Sequence, residues 1–192
     1  MPLEIPTLET ERLILRAPEP GDFEAWAAFC ADEEAARYIG GVQDRIGAWR
    51  IMSVMAGGWF SRGYSMFSVI EKATGRWVGR VGPWRPEGWP GPEVGWGVVR
   101  DCWGKGYATE AATAAIDWAF ATQDWTEVIH TIEAANTNSQ KVAERLGSRI
   151  LRQAVLPPPM NVPVDCWGQT REEWLARRAN LLSPEAQPEG RG

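Results

Sequence analysis

Gly104, Gly106 and Ala108 stand at alternate positions between an apolar strand end, Val98-Val99, and an amphipathic stretch. Small residues there let the backbone approach a ligand closely and leave the first helical N–H groups uncovered. Those donors have no intrahelical partner, and the helix dipole adds positive potential at the same end. Such a turn binds phosphate or pyrophosphate through its backbone N–H groups. It can equally do no more than shape a strand-to-helix connection. His130 is the only histidine, and so the only side chain with an unperturbed pKa near neutrality. It lies in the apolar run 128–132, where a lone histidine is more often structural. Cys30, Cys102 and Cys166 are far apart in sequence, and with one histidine they make no zinc set, so no metal is expected.

The elements that must position these groups are legible from periodicity. Ala108, Ala111, Ala112, Ala115, Ile116, Ala119 and Phe120 fall on one helical face, which predicts a helix over 105–122 after a strand at 93–99. Two familiar phosphate motifs do not fit this junction. Six residues separate Gly97 from Gly104, and Gly106 follows Lys105, so there is no P-loop. A dinucleotide fingerprint needs a small residue where Thr109 stands.

Elsewhere the pattern predicts a strand at 13–15, a helix from an Asp22 cap to about Tyr38, and a second helix over 44–60. A hairpin is expected from 65–71 and 76–81, then a proline-rich loop over 83–92. A strand at 128–133, a short helix at 139–146 capped by Asn136 or Asn138, two strands at 150–156 and 162–167, and a helix over 171–182 complete the series. The whole reads as one domain over 1–182 with a mobile tail over 183–192.

The junction Trp103-Gly104-Lys105-Gly106-Tyr107-Ala108-Thr109-Glu110-Ala111 resembles the pyrophosphate loop of the GNAT superfamily of N-acetyltransferases, in the form common in its RimJ/RimL-like branch. Residues 10–16, 93–98 and 136–147 resemble three further segments of that branch, in the same order. The resemblance spans roughly residues 10–150 and implies an α/β fold: a central, mostly antiparallel, splayed mixed sheet of about seven strands flanked by helices.

It also implies roles. Backbone N–H groups of Gly104, Lys105, Gly106, Tyr107, Ala108 and Thr109 would hold the pyrophosphate of acetyl-CoA. Val98, Val99 and Arg100 would pair with the pantetheine arm like an added strand, and Asn136 would contact the same arm. By its type alone Asn136 reads as a helix cap or turn residue. Attack of a neutral amine on the thioester needs a proton acceptor, and the resemblance points to Glu93 on the central strand; a solvated strand-start carboxylate is the alternative. The departing thiolate needs a proton donor. The tyrosine that many relatives use has no counterpart here, and Ser139 occupies the place suited to that role, unless it only caps the following helix.

Composition agrees with a single enzyme domain. The chain has 192 residues, 44% of them apolar, and no apolar run approaching a membrane span. No basic segment followed by an apolar stretch opens the chain, so a cytoplasmic protein without a signal peptide is expected. A formal charge of −5 disfavours nucleic acid as a partner and suits a cationic amine. The acceptor itself is not legible: a protein or peptide N-terminus and a small amine fit equally, and a homodimer is left open. Two other classes remain at this level, a non-catalytic acyl-CoA sensor and a GNAT-type toxin acting on charged tRNA.

Overall fold

The computed structural model describes residues 5–182. Strands β1 (Leu8–Glu9), β2 (Leu13–Arg16), β3 (Phe67–Glu71), β4 (Trp77–Trp84), β5 (Glu93–Val98), β6 (Glu127–Ile132), β7 (Arg149–Val155) and β8 (Pro163–Thr170) make one sheet in the order β1-β2-β3-β4-β5-β6-β8-β7. All neighbours are antiparallel except β5 and β6. The sheet therefore has eight strands among the described residues, not about seven. The extra strand, β1, is two residues long and too short to leave an alternating pattern. The tail 183–192 lies outside the described residues.

Helices α1 (Phe23–Ala31), α2 (Glu33–Ala36), α3 (Arg45–Arg62), α4 (Tyr107–Thr122), α5 (Thr137–Arg145) and α6 (Arg171–Leu182) cover both faces. The alanine-rich face of α4 lies on Val81, Val94 and Val98 of the central strands, and Ala111, Ala112, Ala115 and Ala119 are fully buried there. Small side chains allow that close approach. On the opposite face Trp26 and Phe29 of α1 and Met52 and Met55 of α3 pack on Met66 and Trp77. The Trp26 and Trp77 rings lie 5.4 Å apart. A bulge in β4 sets which side chains reach this second face. Ile70 pairs with Trp77 and Val69 with Gly79, so Val78 is an extra residue, and Trp77 and Arg80 share a face.

Most element ends fall within three residues of the sequence reading, and three differences have a clear local cause. The helix expected over 22–38 breaks at Asp32, whose carboxylate accepts the Glu34 and Ala35 amides and starts α2 afresh. Asp22 does not cap α1; its carboxylate accepts the Glu19 amide in the turn before the helix and is otherwise taken by Arg16 and by the Ser68 hydroxyl. The loop expected from Pro83 begins two residues later, because β4 runs through Pro83 to Trp84 opposite Val94 and Glu93. Strand β3 pairs with β4 only as far as Val81, so on that side the missing proline N–H leaves nothing unmet.

Candidate active site

Strands β5 and β6 meet at a single parallel pair, Glu93 with Ile129, and then part. The Val94 carbonyl points toward β6, where it accepts from His130 Nδ1 at 2.7 Å. Backbone groups alternate sides along a strand, so the N–H and C=O of Trp96 and the N–H of Val98 also face the widening gap. The Val98 carbonyl is already taken by the Trp103 indole N–H at 2.8 Å. Two of the residues expected to pair with pantetheine are placed otherwise. Val99 donates its amide to Val78 on the β4 side, and the Arg100 carbonyl accepts the Trp103 amide in a tight turn. The gap-facing groups therefore begin two residues earlier, at Trp96.

Two cavities open from this gap. One, of about 540 Å³, runs under the N-terminus of α4 and is lined by Val98, Gly104, Gly106, Tyr107, Ala108 and Thr109. Asn136 and Ser139 line it as well, whereas Val99, Arg100 and Lys105 do not. Gly104 and Gly106 hold φ of +76° and +83°, a left-handed conformation that only glycine adopts readily. Gly106 is the N-cap residue of α4 and has no side chain to cover the amides that follow; the first bond within the helix is Glu110 N to Gly106 O. The amides of residues 106–109 are thus without helical acceptors. The loop is braced from outside by Arg12, which donates to the Lys105 carbonyl and pairs with Glu110.

The other cavity, of about 440 Å³, lies toward α1 and α3 and reaches Glu93, Trp84, Trp89 and Arg80. Trp96, Asn136, Ser139, Tyr38 and Ile39 line both cavities, so a molecule in each would meet at those residues. Glu93 is not a solvated carboxylate: it is 7% exposed. Burial lifts its pKa to about 7, although the Trp89 indole, the Thr131 amide and the Thr131 hydroxyl all donate to its oxygens and Arg80 lies nearby. A carboxylate poised there is half ionised at neutral pH and accepts a proton readily.

Ser139 Oγ accepts the Trp96 indole N–H at 3.2 Å, which leaves its own proton free to be donated. Its side chain does not cap α5. Asn136 does, by accepting the Ser139 amide at 3.2 Å; Asn138 lies inside the helix. Neither Trp96 nor Thr131 stands out in the sequence, since each meets its partner across 38 or more residues.

His130 is 1% exposed and fully engaged. Nδ1 donates to Val94, Nε2 accepts the Ser148 hydroxyl at 3.1 Å, and the ring lies against Trp96. Gln169 in turn donates to Ser148. Burial lowers the imidazole pKa to about 4 from 6.5, so the ring is a neutral tie between β5 and β6. The unfolded chain binds a proton below pH 6.5 that the fold rejects until about pH 4, and this group's stability is lost as pH falls through that window. Urea unfolding at pH 7 and pH 4.5 should show the acid-induced loss shrinking by about 2–3 kcal/mol in His130→Gln.

The fold and the paired cavities define a class, and comparison with known proteins agrees with it. The Acetyltransferase (GNAT) domain family matches residues 12–149, and the chain belongs to that family. It is therefore an N-acetyltransferase, of a family that moves acetyl groups from acetyl-CoA to amines. The uncharacterized N-acetyltransferase p20 of Bacillus licheniformis is 31% identical over 143 residues, which is 73% of this chain and 80% of that one. The acetyltransferase of Agrobacterium tumefaciens C58 is 30% identical with a TM-score of 0.78, covering 89% of this chain and 98% of that one. The ribosomal-protein-S5-alanine acetyltransferase of Vibrio fischeri shares the fold at 18% identity and a TM-score of 0.70, covering 88% and 98%. Among the described residues no helix is long and apolar enough to cross a membrane.

Proposed function

We propose that the protein acetylates a primary amine by direct attack on acetyl-CoA, with both substrates bound at once. The observation that carries this reading is the junction of the two cavities at Trp96, Asn136 and Ser139. CoA phosphates sit on the free amides of 106–109, the Lys105 amide being held by the Cys102 carbonyl, with Lys141 and Arg145 of α5 lining the same cavity. The pantetheine arm extends along the open side of β5, bonded to Trp96 and the Val98 amide, and brings the thioester to the junction. Glu93 takes the amine proton, directly or through one water. The new N–C bond forms as the C–S bond breaks, and Ser139, polarised by the Trp96 indole, gives its proton to the thiolate.

The loop string of residues 103–111 supports the RimJ/RimL-like branch as the reading, and three buried free cysteines favour a cytoplasmic location. A toxin acting on charged tRNA would want a basic groove, against the net charge of −5.

Calorimetry with acetyl-CoA and with desulfo-CoA, followed by thiol release over an amine panel, tests the reading. Micromolar binding with turnover of at least one amine is expected. Binding without any turnover would leave an acyl-CoA sensor; no binding would end the proposal. Ser139→Ala is expected to lower kcat by roughly 10–100-fold, below the full range for a positioned acid because water can protonate a thiolate. Its melting temperature should stay within about 2 °C of wild type, because the Asn136 cap is untouched. A Ser139→Ala enzyme with unchanged kcat would remove Ser139 from the mechanism.

A further inference from the structure

Arg80 is the buried cation of the acceptor cavity, a group the reaction leaves unused and the costliest kind to bury. It is 7% exposed, on the central strand β4, opposite Ser68 on one side and Gly97 on the other. The bulge at Val78 turns it onto the α1–α3 face, and its small exposed remainder opens into the cavity. Its guanidinium makes no hydrogen bond or ion pair with any described residue, and Nε is buried without a partner.

A guanidinium cannot shed its charge to escape this position. The nearby Asp22 carboxylate, held by Ser68 across the ladder, is already occupied by both terminal nitrogens of Arg16. Cys30, on α1, stays a neutral thiol because burial pushes its pKa up. Glu93 is close enough for the two charges to be felt, yet it spends its oxygens on Trp89 and Thr131. A fixed cation with five planar donors, facing a cavity of about 440 Å³, is a receptor for a planar oxyanion.

We propose that Arg80 receives the carboxylate of the acceptor, so that the amine substrate is a small amino acid lying with its amine at Glu93 and its acid at Arg80. This rests on the acetyltransferase reading above and narrows it. The buried charges of the cavity are one cation and one proton-accepting carboxylate, the complement of a zwitterion, whereas Arg50 and Glu133, which also line it, are more exposed. Its walls, Ile51, Met55, Met66 and Trp84, are apolar and suit the hydrocarbon part. Because Arg80 lies in the floor, only a group that enters the cavity reaches it. The product is an N-acetyl amino acid that keeps its carboxylate.

The test is a set of binding titrations on the CoA-loaded protein, read by the fluorescence of the cavity tryptophans Trp84, Trp89 and Trp96. The probes are N-acetyl derivatives of the standard amino acids, each matched with its carboxamide. At least one acid is expected to bind tenfold or more tightly than its amide. Arg80→Gln should bring that ratio within threefold while CoA affinity, set in the other cavity, stays within twofold. The variant should also melt no lower than wild type, since it removes an unpaired buried charge.

No acid preferred in wild type overturns the proposal without any variant, and so does a preference that survives Arg80→Gln. A glutamine variant that fails to fold marks Arg80 as structural support and overturns it too. Acid preference confined to N-acetylated tetrapeptides would overturn the small-substrate assignment in favour of a peptide acceptor. If wild type binds no CoA, the acetyltransferase reading falls first, and the two failures are told apart by that measurement.

Discussion

Glu93→Gln is expected to lower kcat for acetyl transfer by about 10²–10⁴, the range for a positioned base. In wild type, activity should fall about tenfold per pH unit below a midpoint near 7, the pKa to which burial lifts this carboxyl. The glutamine variant should lose that limb, while His130→Gln keeps it. Stability should move the other way. Between pH 4.5 and about 7 the folded state holds a proton on Glu93 that the unfolded chain has released. Raising pH through that window therefore removes up to about 3 kcal/mol of stability, and the loss persists above it.

Glutamine carries no such penalty. The variant should match wild type near pH 4.5 and exceed it at pH 8 by up to about 3 kcal/mol, or roughly 5–10 °C in melting temperature. A pH limb near 7 that survives in Glu93→Gln would remove this residue as the base. His130 acts with opposite sign over nearly the same window, so the wild-type stability profile should be flat across mildly acid pH, and each single variant should tilt it.

Gly106→Trp is expected to abolish CoA binding, with affinity falling at least 100-fold by calorimetry. Two effects add. Hydrogen bonds from amides to a charged phosphate contribute about 1.5–3 kcal/mol each, and a side chain at the N-cap covers the amides that follow. The φ of +83° also strains any L-residue, by about 1–2 kcal/mol, and moves the loop. A Cβ at this position would lie 3.4 Å from the Arg12 guanidinium, so the side chain must project toward the cavity or displace the brace. The fold should survive, with melting lowered by a few degrees, because α4 is held by its alanine face and not by its first turn. Undiminished CoA affinity in a folded Gly106→Trp protein would mean the phosphates lie elsewhere.

What was legible in the sequence was local. The face of α4 repeats at helical spacing, and Gly104 and Gly106 mark the turn before it. The last helix, expected over 171–182, is Arg171–Leu182. What was not legible depends on pairing. Asp32 sits in a helical pattern, and only its bond to the Glu34 and Ala35 amides makes it a break. Pro83 reads as a breaker, and only the early end of β3 lets a strand pass through it. The family resemblance singled out Glu93 and Ser139, but their settings come from Trp89, Trp96 and Thr131, distant in sequence or silent in type. Arg80 had a signal of its own, a lone charge in a run that is otherwise apolar or glycine, but the bulge that decides its face leaves no periodic trace.

The parting of β5 from β6 also has a consequence for association. A gap of this kind is an edge in the middle of a sheet, with the Trp96 backbone groups and the Val98 amide left to pair with whatever enters. Exposed strand edges invite other chains to add on. Here the opening is a wedge, pinned at Glu93 and by the His130 tie and plugged at its far end by the Trp103 indole on the Val98 carbonyl. It admits one slender extended molecule but not a strand that carries its own sheet. The shape proposed to receive a pantetheine arm is thus also one that keeps neighbouring chains from zipping into it.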